Sequence, residues 1–383
     1  MAAFDEGTVG TLKAALAKLG ADASPEPVAA EIAGAVKALG VRSLAECGVL
    51  AAMTDKLTND KTKEMEGARA ACVLFKALVE AVGVHFEPFA VPLLPKVIAI
   101  YDAKPPAPRE AASAAALALI NSVNPGAVRL VLPALFVSMQ AKGWREKVGR
   151  RARARSAPAL AALSRLDPRA RAEVADGAEA LPFSRHSLSL SLSPAAPPPL
   201  VQVGALNLLA ALSIHARGKV GMCLVDIVPA LTDCLWDTKK ETQKAAIDCL
   251  TECCTVVENP DIRPIVPTLI SANARPEECP ACIDKLMAVV FVQTVDAPTL
   301  SIIVPILARG LRNRDEQLKR KCCVVIDNMC KLVMEPRDAA PFGPKLRPEL
   351  VRTSEECATE EVRLVGARAL STLDSCLLEG HTH

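Results

Sequence analysis

The spacing most suggestive of chemistry is Cys279-Pro280-Ala281-Cys282, a C-x-x-C. Such a pair holds zinc only with two further ligands, and works as a redox couple only in a thioredoxin-like βαβ setting. Neither surrounds it, because the pair opens a helical pattern. The five histidines (His85, His186, His215, His381 and His383) are scattered, so no Ser–His–Asp or metal constellation is supported. No G-x-x-x-x-G-K-[ST] occurs, since Gly218-Lys219 lacks both the upstream glycine and the following hydroxyl residue. The expectation is a chain without catalytic residues, cofactor, metal or small-molecule substrate.

Charge offers more. Arg309, Arg312, Arg314, Lys319, Arg320 and Lys321 enclose only Asp315 and Glu316. The cluster straddles a turn between helices, so its charges project from one edge. Lys239 and Lys240 stand in the equivalent turn two repeats earlier. Lys239, Lys240, Arg309, Arg312, Arg314, Lys319 and Arg320 are therefore candidate contacts to RNA phosphates, which clustered cations bind with release of counterions. The alternative is a solvated turn in which Asp315 and Lys321 tie adjacent repeats by an ion pair. A formal net charge of +2 implies no nucleic-acid partner by itself.

These residues sit on a repeating frame. Ile227-Val228-Pro229-Ala230-Leu231 returns as Ile265-Val266-Pro267-Thr268-Leu269 and as Ile303-Val304-Pro305-Ile306-Leu307, so the prolines recur every 38 residues. Phe89-Ala90-Val91-Pro92-Leu93-Leu94 and Leu130-Val131-Leu132-Pro133-Ala134-Leu135 carry the same motif 41 residues apart. Each motif is followed by a polar turn and a second helical stripe, such as Ala246, Cys249, Leu250, Cys253 and Val257, or Val324, Val325, Met329, Leu332 and Val333. A period near forty with two helices per unit marks HEAT-type repeats, and one hairpin cannot bury its stripe alone. The expected fold is all-α, a right-handed α-solenoid of about eight units. Proline is compatible with it, costing nothing in a first turn and kinking an interior.

Composition agrees. Half the residues are apolar but only 3% aromatic, so Ala, Leu, Val and Cys fill a core of closely packed helices. The fourteen cysteines fall mostly on helical stripes, behind a start, Met-Ala-Ala-Phe-Asp-Glu, that is not a secretory signal. They read as small apolar residues in a reducing, cytoplasmic compartment. No apolar run approaches a membrane span. Helices are expected over 9–19, closed by Gly20, from Pro27 to Leu39, as a pair within 43–82 turning at Asn59-Asp60, and over 346–354 and 361–377.

One interval breaks the period: Pro133 and Pro229 lie 96 residues apart. Residues 148–202 hold Arg150-Arg151-Ala152-Arg153-Ala154-Arg155, a Ser–Leu alternation over 187–193 and a Pro/Ala tract over 194–199. Removing these 55 residues restores a spacing of 41. The segment is read as an irregular, poorly packed insertion, either a retained intron or a lineage-specific loop. If intronic, its arginines carry no function. The solenoid thus divides into repeats over 1–147, the insertion, and repeats of the same array over 203–383.

Several strings are more specific than HEAT periodicity. Trp236-Asp237-Thr238-Lys239-Lys240-Glu241, Ala297-Pro298-Thr299-Leu300-Ser301-Ile302-Ile303-Val304-Pro305 and Ile326-Asp327-Asn328-Met329-Cys330-Lys331-Leu332-Val333 resemble the N-terminal HEAT domain of translation elongation factor 3. Asn121-Ser122-Val123-Asn124-Pro125 and Phe342-Gly343-Pro344-Lys345-Leu346 share the likeness, which covers roughly 50–373 apart from 148–202. The resemblance implies a ribosome-associated ATPase. Its HEAT domain would dock on ribosomal RNA and ribosomal proteins, while downstream cassettes, which this chain does not contain, drive E-site tRNA release. A monomeric ribosome-binding module without ATPase activity is the resulting expectation. A generic HEAT scaffold with protein partners only is the alternative.

Overall fold

The computed structural model describes residues 6–20, 24–58, 65–139 and 199–378. These residues form helices and turns, with no strand among them. The chain is an all-α solenoid of paired helices. The pairs are α1 (Glu6–Lys18) with α2 (Pro25–Leu39), α4 (Val49–Thr58) with α5 (Met65–Val82), and α6 (Glu87–Ala99) with α7 (Pro106–Ser122); α3 (Ser43–Glu46) is a short link. Next come α8 (Val128–Met139) with α9 (Pro199–His215), the link α10 (Arg217–Gly221), and α11 (Leu224–Leu235) with α12 (Lys240–Cys254). The array continues with α13 (Val266–Ala274) and α14 (Cys279–Met287), α15 (Ala297–Leu311) and α16 (Glu316–Cys330), the turn α17 (Pro336–Ala339), and α18 (Gly343–Glu356) with α19 (Glu360–Leu378).

Outside the α8–α9 interval only a few residues separate the partners, and each unit has a first (A) and a second (B) helix. B helices stack on B helices, α2 on α5 on α7 and α16 on α19, while α13, α15 and α18 stack as A helices. Loops leaving A helices therefore share one edge of the array, and loops leaving B helices the other.

The repeating prolines lie inside A helices at Pro92, Pro133, Pro229 and Pro305, whereas Pro267 falls in the first turn of a shortened α13. Local chemistry sets several termini. The Asp296 and Asp315 carboxylates accept N–H bonds from Thr299 and Gln317, capping α15 and α16. Gly40, at φ 84°, ends α2 in a conformation costly for other residues. The predicted B-helix stripes are buried at Ala246, Cys249, Leu250, Cys253 and Val257, and at Val325, Met329 and Val333, with Val324 and Leu332 only half-buried. One hydrophobic core runs from Leu12 to Cys376.

All fourteen cysteines are free thiols, thirteen of them buried. Burial pushes Cys72, Cys234 and Cys323 up to about 12, which keeps them protonated and unreactive. No single helix among the described residues is long and apolar enough to cross a membrane.

Residues 148–198 of the expected insertion, with Arg150–Arg155, lie outside the described residues, as does the Asn59-Asp60 turn. The last four insertion residues do not belong to it structurally. Residues 199–202 open α9, where Val201 and Gln202 are buried and the Gln202 carboxamide oxygen accepts from the Thr242 hydroxyl at 3.5 Å. The Pro tract reads as irregular from sequence, yet proline fits a helix's first turn, as Pro199 does here.

Candidate functional site

The basic cluster assembles on the edge formed by loops leaving A helices, at the α11–α12 and α15–α16 turns. Helix periodicity puts these cations there, but tertiary partners decide which remain available. Arg309, in the last turn of α15, does not project freely. Its Nη1 donates to the Ala272 carbonyl at 2.7 Å, and its guanidinium lies 5.1 Å from the Trp236 ring centroid. Burial pushes the Arg309 pKa down, opposed by the nearby Cys279. Arg312 Nε binds the buried Glu349 carboxylate at 2.8 Å, and Arg352 holds its other oxygen at 3.0 Å. Arg320 Nε binds Glu361 at 2.7 Å, and Lys319 Nζ lies 3.9 Å from the Cys357 thiol. The Glu316 carboxylate accepts N–H bonds from Ala358 and Thr359 one unit ahead.

The ion pair expected between Asp315 and Lys321 does not form. Asp315 is occupied as a helix cap, and Lys321 reaches back to Asp284 on α14. Residues six apart on a helix lie on different faces, so these two could not meet without leaving it. Lys321 does tie adjacent units, but with another partner.

Four of the seven candidates are thus engaged in polar ties between units: Arg309, Arg312, Lys319 and Arg320. Lys239, Lys240 and Arg314 are exposed and form no ion pair among the described residues. Beside them stands a residue whose role sequence reading missed. Trp236 caps α11, 51% exposed as a residue and with Arg309 over its ring. A lone tryptophan in a polar turn of an aromatic-poor chain was the available signal.

The C-x-x-C lies in the first turn of α14, both thiols buried, Cys279 Sγ donating to the Ile306 carbonyl at 3.5 Å. Burial pushes Cys282 up to about 11 and Cys279 upward, opposite to what thiolate chemistry requires. His85 lies in the turn after α5, and His215 Nε2 is 3.0 Å from the Val123 carbonyl; His186, His381 and His383 lie outside the described residues.

With this geometry in hand, two family matches cover most of the chain. The EF3 N-terminal HEAT repeat matches residues 26–167 and 200–250, and the Elongation factor 3/GNC1 HEAT repeat matches 278–383. The interval left out, 168–199, is shorter than the 148–202 inferred from the period. Among curated relatives, Elongation factor 3 of Phytophthora infestans is 36% identical over 288 residues, 75% of this chain and 22% of that protein. Protein ILITYHIA of Arabidopsis thaliana is 30% identical over 350 residues, 89% of this chain and 11% of that protein. Elongation factor 3A of Saccharomyces cerevisiae is 32% identical over 288 residues, again 75% of this chain and 22% of that protein. The chain spans less than a quarter of the length of these relatives.

Proposed function

Because the chain belongs to the elongation factor 3 HEAT-repeat family, we propose that it is the ribosome-binding module of a cytoplasmic translation factor. It acts as a monomer that docks without hydrolysing ATP. The observation that carries this reading is the set Lys239, Lys240 and Arg314, which form no ion pair among the described residues and share one edge with the exposed Trp236. Cations left without a counterion among the described residues suit RNA phosphates, and an aromatic side chain beside them suits an unstacked base.

Charge reversal tests it. The triple variant Lys239→Glu, Lys240→Glu, Arg314→Glu should weaken ribosome co-sedimentation more than tenfold at low salt, about 1.4 kcal/mol or more. The slope of binding against salt should flatten as phosphate contacts are lost. The circular dichroism spectrum should not change, because exposed side chains without partners contribute little to stability. Undiminished binding would refute the reading. Arg312 and Arg320 are unsuitable for this test: glutamate at 312 would face the buried Glu349 and unsettle the stacking of α15 on α18.

We further propose that the interval between α8 and α9 is an insertion within one unit. Its support is that α8 and α9 pack together as a pair, and the family match omits 168–199. Deleting 168–198 should leave the thermal midpoint unchanged or raised and ribosome binding intact. A large loss of stability would contradict it.

A further inference from the structure

The opposite edge, formed by loops leaving B helices, has a different character. Between α9 and α11 the short α10 turns outward, and Gly221 lets it approach the next unit, since a Cβ there would meet Val256 Cγ1 at 2.9 Å. Two adjoining depressions result. One, of about 410 Å³, is lined by Pro125, His215, Ala216, Arg217, Gly218 and Lys219; the other, of about 190 Å³, includes Arg217, Met222, Val256, Glu258 and Pro298. They share Arg217 and Gly218, and His215 at the larger one meets the Val123 carbonyl of the preceding unit.

Arg217 and Lys219 are exposed and form no ion pair among the described residues, and Glu258 is the one carboxylate lining either depression. Arg129 lies close by, near Cys223 and Asp226. Met222, 57% exposed, lines the smaller depression, and two more large aliphatic residues stand in water on the flanking helices: Leu130, in the first turn of α8, is 66% exposed and Ile214, in the last turn of α9, 64%. A phosphate-binding face gains nothing from exposed aliphatic groups, and the one aromatic ring that lines the depressions among the described residues, the His215 imidazole, is already tied to the Val123 carbonyl. A protein partner uses both features, burying the apolar groups while acidic residues answer the cations. Methionine adapts to varied side chains, which suits such a surface.

We propose that this edge, centred on Arg217, Lys219 and Met222, docks an acidic peptide segment carrying aliphatic anchors. The site does not depend on ribosome binding and uses none of the residues proposed for it. Its cations set orientation and encounter rate, and its apolar shelf sets residence time.

The test is fluorescence anisotropy of the full chain with a labelled amphipathic peptide, leucines at helical spacing on a glutamate background. Arg217→Glu with Lys219→Glu should weaken binding at least about tenfold, and Met222→Ser at least about threefold. Replacing the peptide's leucines by serine should abolish the Met222 effect. The Lys239/Lys240/Arg314 triple variant should bind the peptide normally, which separates this site from the ribosome-facing edge. Peptide affinity unaffected by the Arg217/Lys219 change would overturn the proposal. So would displacement of the peptide by poly-uridylate combined with indifference to Met222→Ser, which would identify a phosphate surface instead.

Discussion

Gly204→Ala should destabilise the chain by about 2 kcal/mol, although glycine-to-alanine inside a helix ordinarily stabilises by up to about 1 kcal/mol. Gly204 lies within α9 against the ring of Tyr101, in the turn between α6 and α7. A Cβ there would stand 2.0 Å from Tyr101 Cδ2 and 2.1 Å from Cε2, so something must move. The ring cannot swing away cheaply. It is buried among the side chains of the core, and that burial pushes the phenol up to about 12, opposed by the nearby Ser113. Overpacking of this kind costs roughly 1–3 kcal/mol. The check is a double-mutant cycle followed by urea unfolding. Tyr101→Ala alone should cost about 3 kcal/mol through the cavity it leaves. In that background Gly204→Ala should become neutral or stabilising, giving a coupling of about 2–3 kcal/mol. A long array need not unfold in one step, so hydrogen exchange of the α7 and α9 amides should accompany the midpoints. A raised midpoint in the single variant would mean that α9 does not rest on Tyr101, and the packing joining the array across 140–198 would have to be redrawn.

That contact illustrates what the sequence could and could not reveal. The A-helix motif around Pro229, Pro267 and Pro305 and the stripe from Ala246 to Val257 were legible because both are local: proline marks one helix, periodicity the other. Nothing in the sequence marks Gly204 as a packing position, because its partner Tyr101 lies about a hundred residues earlier. Which cations of the basic edge stay unengaged is non-local in the same way. Periodicity placed Arg312 and Arg320 on a turn, but whether they face solvent depends on Glu349 and Glu361 in the next unit. The separations of those pairs, 37 and 41 residues, are close to the repeat period itself. Lys321 and Asp284, also 37 apart, obey the same spacing. In a solenoid, opposite charges one period apart are candidates to meet across neighbouring units, and a search at that spacing would have separated the paired arginines from Lys239, Lys240 and Arg314. The six-residue spacing of Asp315 and Lys321 matched neither helix nor period.

The same spacing rule leads to Asp327, whose replacement by alanine should cost about 2–3 kcal/mol. This carboxylate is buried between α16 and α19. Its Oδ2 accepts from Lys331 Nζ at 2.7 Å and lies 3.2 Å from Arg368 Nε, while Oδ1 accepts from the Thr372 hydroxyl, 45 residues on, at 2.6 Å. Lys331 and Arg368 are partly exposed and can rehydrate when the carboxylate is lost. The cost therefore falls between the 0–1 kcal/mol or so of a surface pair and the roughly 3–5 kcal/mol of a fully buried one. Burial raises the Asp327 pKa, but the bonds from Lys331 and Thr372 and the charges of Lys331 and Arg368 outweigh it, so the folded value lies below the ordinary one. The sign follows. Where the folded pKa is depressed, the unfolded chain binds more protons near the normal aspartate value of about 4, so stability rises with pH there. Asp327 thus contributes fully above that value and loses its contribution as pH falls through the folded pKa. Asp327→Asn keeps an acceptor for Thr372 but not the charge. Its deficit against the parent chain in urea unfolding should be largest near neutrality and shrink steadily below about pH 4. A deficit independent of pH would assign the site's value to shape and hydrogen bonding rather than to ionisation.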